Sequence, residues 1–144
     1  MKILQADSSH VAALVQVDHS RLFSAHWNEA QWRDECTNRI CCVWAAFVGE
    51  LLVGFICTRG AAGMYEITNL AVAQAYTRQG IATALLGQVI QTLQMQGAQQ
   101  VTLEVSAKNM PAQELYKHAG FMMLGVRKQF YQDGADALIM GKNL

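Results

Sequence analysis

Charge is scarce in this sequence, and none of it accumulates. Asp, Glu, Lys and Arg make up 15% of the 144 residues, and eleven acidic residues balance eleven basic ones. The basic footprint of a protein that binds nucleic acid or an anionic membrane surface is therefore missing. Proline occurs once, at Pro111, and no linker, low-complexity tract or repeat is visible. No apolar run approaches the roughly 20 residues that cross a membrane. The stretch MKILQADSSH has no long apolar core behind its one lysine and reads as neither a signal nor a transit peptide. The expectation is a cytoplasmic protein in which Cys36, Cys41, Cys42 and Cys57 are reduced thiols. No two of them form C-x-x-C, and His10, His19, His26 and His118 lack ligand spacing to them, so no metal is expected.

What the chain has in quantity is apolar material. Hydrophobic residues make up 52%, enough for a sizeable core, and the length points to one domain over residues 1–144. Met1 to Ala6 suits a short strand, after which Ser8 or Ser9 caps a helix with Val11, Leu14 and Val17 on its apolar stripe. Asn28 and Gln31 have capping-box spacing for a second helix that buries Trp32 and ends near Cys36. Strand formers fill Ile40 to Phe47 and Leu51 to Thr58 on either side of Val48-Gly49-Glu50, a hairpin signal, and a third strand runs from Tyr65 to Val72. From Gly80 to Gln96 the period becomes helical, with Ile81, Leu85, Val89 and Leu93 four apart. Val101, Leu103 and Val105 then alternate with Thr102 and Glu104 as in a strand. Asn109 and Pro111 open a helix to about Ala119, and Phe121 to Tyr131 with Ala137 to Met140 suits a closing hairpin.

Arg78-Gln79-Gly80-Ile81-Ala82 lies between the end of a strand and the start of the longest helix. Free backbone N–H groups converge there at the positive helix end, and Gly80 lets an anion approach the backbone. The loop has neither the G-K-[ST] of a nucleotide-hydrolysing site nor the three glycines of a dinucleotide fold, so its phosphate belongs to another ligand.

Asn69-Leu70-Ala71-Val72, Arg78 to Ala82, Leu103-Glu104-Val105, Asn109, and Leu115-Tyr116 through Gly120-Phe121 occur in that order. The set resembles the GNAT superfamily of N-acetyltransferases over nearly the whole chain. Within it the likeness is to the RimI branch, which acetylates the N-terminal alanine of a small-subunit ribosomal protein. Trp27 before a capped helix, Phe130-Tyr131 and Asp136-Ala137-Leu138-Ile139-Met140 point the same way.

The resemblance implies an α/β (α+β) fold, with a mixed, mostly antiparallel sheet of about six or seven strands and about four helices on both faces. It implies acetyl-CoA as co-substrate, without a metal. Arg78, Gln79, Gly80, Ile81, Ala82 and Thr83 would hold the pyrophosphate, and Leu70, Ala71 and Val72 would offer backbone groups to the acetyl and pantetheine parts. Asn109 either touches the cofactor or caps its helix. Glu104 becomes the general base, directly or through a water, and Tyr116 the general acid. Without the resemblance Glu104 reads as a solvated strand residue and Tyr116 as a packing ring. Glu66 is the rival base, and Trp27, Glu66 and Tyr131 line the acceptor side with Phe130. The chain departs from the pattern at Thr77, where the loop's first place usually holds Gln or Arg. It also departs at His26, before the tryptophan, and at Ser106, where many relatives carry arginine.

The acceptor implied is a protein or peptide N-terminus, in the first instance the ribosomal alanine. A lysine, a polyamine or a small amine is the enzymatic alternative, because the fold hosts many acceptors. A module that binds acetyl-CoA without turnover is the alternative of another class, and the presence of both Glu104 and Tyr116 weighs against it. Neither nucleic acid nor membrane enters this expectation.

Overall fold

The computed structural model describes residues 1–144. Seven strands form one sheet: β1 (Lys2–Gln5), β2 (Cys41–Val48), β3 (Leu51–Ala61), β4 (Met64–Val72), β5 (Gln100–Ser106), β6 (Met122–Arg127) and β7 (Ala137–Asn143), in the spatial order β1-β2-β3-β4-β5-β7-β6. Every neighbouring pair is antiparallel except β4 and β5. Those two are joined by α3 (Ile81–Met95), as a parallel pair requires a crossover. This is the mixed, mostly antiparallel sheet expected. The β3 strand outruns its expected end at Thr58 because Ala62 and Gly63, at φ +54° and +84°, make a two-residue turn that carries pairing out to Ala61 and Met64.

Helices cover both faces. α3 buries Ile81, Leu85, Leu86, Val89 and Leu93 against Ile56, Ile67, Val101, Leu103 and Val105, and α4 (Met110–His118) joins the same cluster through Tyr116. Each aliphatic side chain buried there is worth about 1.5–3 kcal/mol before the entropy of ordering is subtracted. On the other face α1 (Val11–His19) and α2 (Glu29–Thr37) pack Val11, Leu14, Val17 and Trp32 on Val43, Ala45, Phe55, Cys57 and Ala71. The Asn28–Gln31 capping box forms at 2.8 and 2.9 Å. The expected cap at Ser8 or Ser9 does not. Asp7 takes that role, its Oδ1 accepting the Ser9 N–H at 2.9 Å while His10 Nδ1 accepts the Asp7 N–H at 3.0 Å. Ser8 and Ser9 lie inside the 3-10 turn that leads into α1. No helix is long and apolar enough to cross a membrane.

The feature that places the site is the separation of β4 from β5. Their parallel ladder ends at Ile67 and Leu103, although β4 runs on to Val72 along β3 and β5 to Ser106 along β7. The cause lies in β4: Cys57 pairs with Asn69 and Thr58 with Ile67, so Thr68 is the extra residue of a β-bulge that bends the strand. Past Ile67 the backbone groups of β4 that face β5 have no ladder partner.

Candidate active site

A cavity of about 500 Å³ opens where the two strands part. Its walls are Ile67 to Leu70 of β4, Leu103 to Ser106 of β5, the loop from Leu22 to Ala25, Asn109, Ala112 and Tyr116 around α4, and Tyr131 to Asp133 after β6. Because the gap interrupts the sheet, the cavity reaches both faces. Five of the residues singled out in the sequence, Leu70, Glu104, Asn109, Tyr116 and Tyr131, line it together. Trp27 lies instead in an adjoining depression with Glu35 and Arg59, and Thr68 is common to the two. Glu66, Ala71, Val72 and the loop from Arg78 to Thr83 are not in the cavity wall.

Strand parity assigns the acidic groups to one face. Val101, Leu103 and Val105 belong to the α3–α4 cluster, so Glu104 projects towards the α1–α2 side, and Glu66, paired in register with Thr102, does the same. Burial raises the Glu66 carboxyl above its ordinary value and the charge of Glu104 adds to this, while Arg59 and Arg127 oppose it. Arg127 Nε lies 3.2 Å from Glu104 Oε1, and its guanidinium also sits over the Phe130 ring at 5.5 Å. Tyr131 has its phenol raised by burial, then by the charges of Glu104 and Asp133. Lys108, 3.4 Å from Asp133, holds this loop to the β5–α4 turn.

Tyr116 approaches from the other face. Its side chain is 5% exposed and its ring meets Phe121 at 5.5 Å. Burial raises its phenol, which keeps the proton on the hydroxyl at neutral pH. The residue lines the cavity from this face. Asn109 caps α4, its Oδ1 accepting the Ala112 N–H at 3.3 Å, and Gln113 braces the turn through Nε2 bonds to the carbonyls of Ser106, Ala107 and Asn109 at 3.1–3.2 Å.

Two residues without an assigned role in the sequence reading organise the remaining wall. Asp18 is fully buried: its Oδ1 accepts the His26 N–H at 2.9 Å, and its Oδ2 accepts the N–H of Trp27 at 2.8 Å and the Trp32 indole N–H at 3.0 Å. Its signal was an acidic residue on an apolar stripe, four places after Leu14. Asn69 is 6% exposed; its Oδ1 accepts the Ala25 N–H at 3.1 Å, and its Nδ2 has no partner. A strand-depleted residue between strand formers was the signal there.

The glycine loop has the backbone of an anion cradle. Arg78 and Gly80 take φ +62° and +81°, and Gly80 caps α3 with no side-chain oxygen, leaving the first N–H groups of the helix without an intrahelical acceptor. A Cβ added at Gly80 would meet nothing within 4 Å, so the approach is open. Ala71 and Val72 pack into opposite clusters. Elsewhere the thiols are held up by burial, Cys36 to about 11, and no three His, Cys, Asp or Glu side chains converge as a metal site.

The sequence model of the acetyltransferase (GNAT) family matches residues 10–121. An N-alpha-acetyltransferase of Sulfurisphaera tokodaii is 39% identical over 80 residues, 55% of this chain and 48% of that protein. The [ribosomal protein bS18]-alanine N-acetyltransferase of Escherichia coli K12 is 36% identical over 92 residues, 62% of each chain. The chain spans about half the length of the first relatives it matches, 50% and 48%. In three dimensions the ribosomal-protein-S18-alanine N-acetyltransferase from Escherichia coli superposes with a TM-score of 0.90 at 25% identity, covering 99% of this chain and 92% of that one. A family match over most of the sequence, on a fold that superposes nearly end to end, makes this chain a member of the acetyltransferase (GNAT) family.

Proposed function

We propose that this protein transfers the acetyl group of acetyl-CoA to the N-terminal amine of a protein, the alanine of a small-subunit ribosomal protein being the first acceptor to test. The observation that carries the reading is one cavity with Glu104 on the α1–α2 side and Tyr116 on the α3–α4 side, at the point where β4 leaves β5. Acetyl-CoA fits the α3 side. Its pyrophosphate would meet the free N–H groups at Gly80 to Thr83, beside Arg78 and Gln79. Its pantetheine and acetyl carbonyl would take up the unpaired backbone of Leu70 to Val72, one amide polarising the carbonyl oxygen. Asn109 would border it while capping α4.

The acceptor enters between the α1–α2 loop and the loop holding Tyr131, with Trp27 and Glu66 nearby. Glu104, directly or through water, takes the proton that the amine nitrogen loses as it bonds to the thioester carbon. The carbon–sulfur bond breaks, and Tyr116 gives its proton to the departing thiolate. A terminal amine, with a pKa near 8, is free base at neutral pH far more often than lysine, near 10.4, and so suits a carboxylate base better.

Two results are expected. With isotopically labelled acetyl-CoA and two peptides, one with free N-terminal alanine and an internal lysine and one with a blocked N-terminus, mass spectrometry should find label only on the first, at its terminal amine. Label on the lysine of both peptides, or on polyamines alone, would overturn the acceptor and leave acetyl transfer standing. Acetyl-CoA at a hundred times its Kd should stabilise the wild type by about 2.7 kcal/mol in a thermal melt, and Gly80→Glu should abolish this by setting a carboxylate against the pyrophosphate. Undiminished stabilisation of the variant would remove the loop from the site.

A further inference from the structure

Asn69 carries the one buried donor in the cavity wall that the fold leaves unsatisfied. Its Oδ1 is committed to the Ala25 N–H at 3.1 Å, which fixes the plane of the amide, and its Nδ2 is enclosed without an acceptor. More than nine in ten buried polar groups find a partner, so this donor calls for one, and the residue that carries it lines the cavity where a ligand would sit. The other unpaired buried atom, Glu35 Oε2, belongs to a residue outside the cavity.

The register says which ligand. Asn69 lies opposite Cys57, and Cys57 packs into the α1–α2 cluster, so the Asn69 side chain is on that face. Glu104 is on the same face across the gap, whereas Leu70, the next residue, packs towards α3. The amide is therefore on the acceptor side of the cavity, on the wall facing the carboxylate that meets the amine. A peptide N-terminus has a carbonyl oxygen two bonds from the carbon that bears its amine. A lysine side chain or a polyamine has none there.

We propose that Asn69 is an acceptor-binding residue, its Nδ2 donating to the carbonyl oxygen of the acceptor's first residue and so selecting an amine with an adjacent carbonyl. The inference rests on the N-terminal transfer proposed above. Asn69 would then do two things with one amide: its oxygen holds the α1–α2 loop through Ala25, and its nitrogen holds the peptide that the loop borders.

A double-mutant cycle tests the contact. Turnover is measured on a peptide beginning with alanine and on the same peptide with a trans alkene in place of its first peptide bond, with wild type, Asn69→Asp and Asn69→Leu. Asp keeps an oxygen for the Ala25 N–H but puts a carboxylate oxygen where the donor was; Leu removes the donor without adding charge, loses the Ala25 contact as well, and serves if the Asp variant fails to fold. Wild type should lose about tenfold or more in kcat/KM on the alkene peptide, as for one buried hydrogen bond. The variants should lose a similar factor on the parent peptide, through acceptor KM with acetyl-CoA KM unchanged, and little further on the alkene. Additive losses, or a loss carried by acetyl-CoA KM, overturn the contact and leave N-terminal transfer intact. No turnover of the parent peptide by wild type overturns both.

Discussion

Glu104→Gln and Tyr116→Phe should each lower kcat by about a hundredfold or more while acetyl-CoA affinity, read from ligand-induced thermal stabilisation, stays nearly unchanged. Both substitutions keep shape and remove the ability to move a proton. Glu66→Gln should cost less, and the geometry gives the reason. Glu66 and Glu104 share a face, but only Glu104 lines the cavity, and its carboxylate is held at 3.2 Å by Arg127. Glu66 sits back along β4, where burial and the charge of Glu104 favour its protonated form. Position outweighs that basicity: a general base must reach the proton it removes, and Glu66 lies outside the wall of the cavity in which the amine would meet the thioester. Steady-state rates of the three variants against saturating acetyl-CoA decide the matter. If Glu66→Gln proves the most damaging, the base has been assigned to the wrong strand.

The elements were readable where the physics is local. Ile81, Leu85, Val89 and Leu93 specify α3 by spacing alone, and Asn28 with Gln31 specifies the start of α2 because each satisfies the other's backbone. The Ser8–Ser9 expectation failed for an equally local reason: three residues that can cap stand in a row, and Asp7 wins because His10 returns its bond. What no window of sequence reveals is the departure of β4 from β5. It depends on Thr68 having no partner in β3, a property of register between two strands, and it decides that Glu104 and Tyr116 share a cavity. The resemblance named both residues; their meeting across the sheet is long-range. Asp18 and Asn69 carried weaker signals, a polar residue on an apolar stripe and an amide in a strand, which acquire meaning only when the loop from Leu22 to Trp27 is in place between them.

That loop makes the stability of α2 a matter for the site, and Trp32→Ala should expose the coupling. Trp32 is fully buried, with its ring edge-on to Trp27 at 5.0 Å and to Phe55 at 4.8 Å, and its indole N–H bound to Asp18 Oδ2 at 3.0 Å. Truncating a buried aromatic of this size to alanine costs about 3–5 kcal/mol through lost burial and the cavity left behind. Removing a donor from a buried carboxylate adds a further penalty of about 1–3 kcal/mol. Stability of a domain this size is about 5–15 kcal/mol, so the variant should melt on the order of 10 °C or more below wild type. Trp32→Phe separates the two contributions: it keeps most of the packing, loses the N–H, and should give up only the smaller part. Asp18 then retains the N–H groups of His26 and Trp27, so the loop should hold its course and Trp32→Phe should keep its acceptor KM at temperatures below its melt. An acceptor KM that rises in Trp32→Phe without a fall in melting temperature would mean that the indole bond shapes the acceptor side directly. A melt unchanged in Trp32→Ala would mean that the α1–α2 cluster does not support the fold as its burial requires.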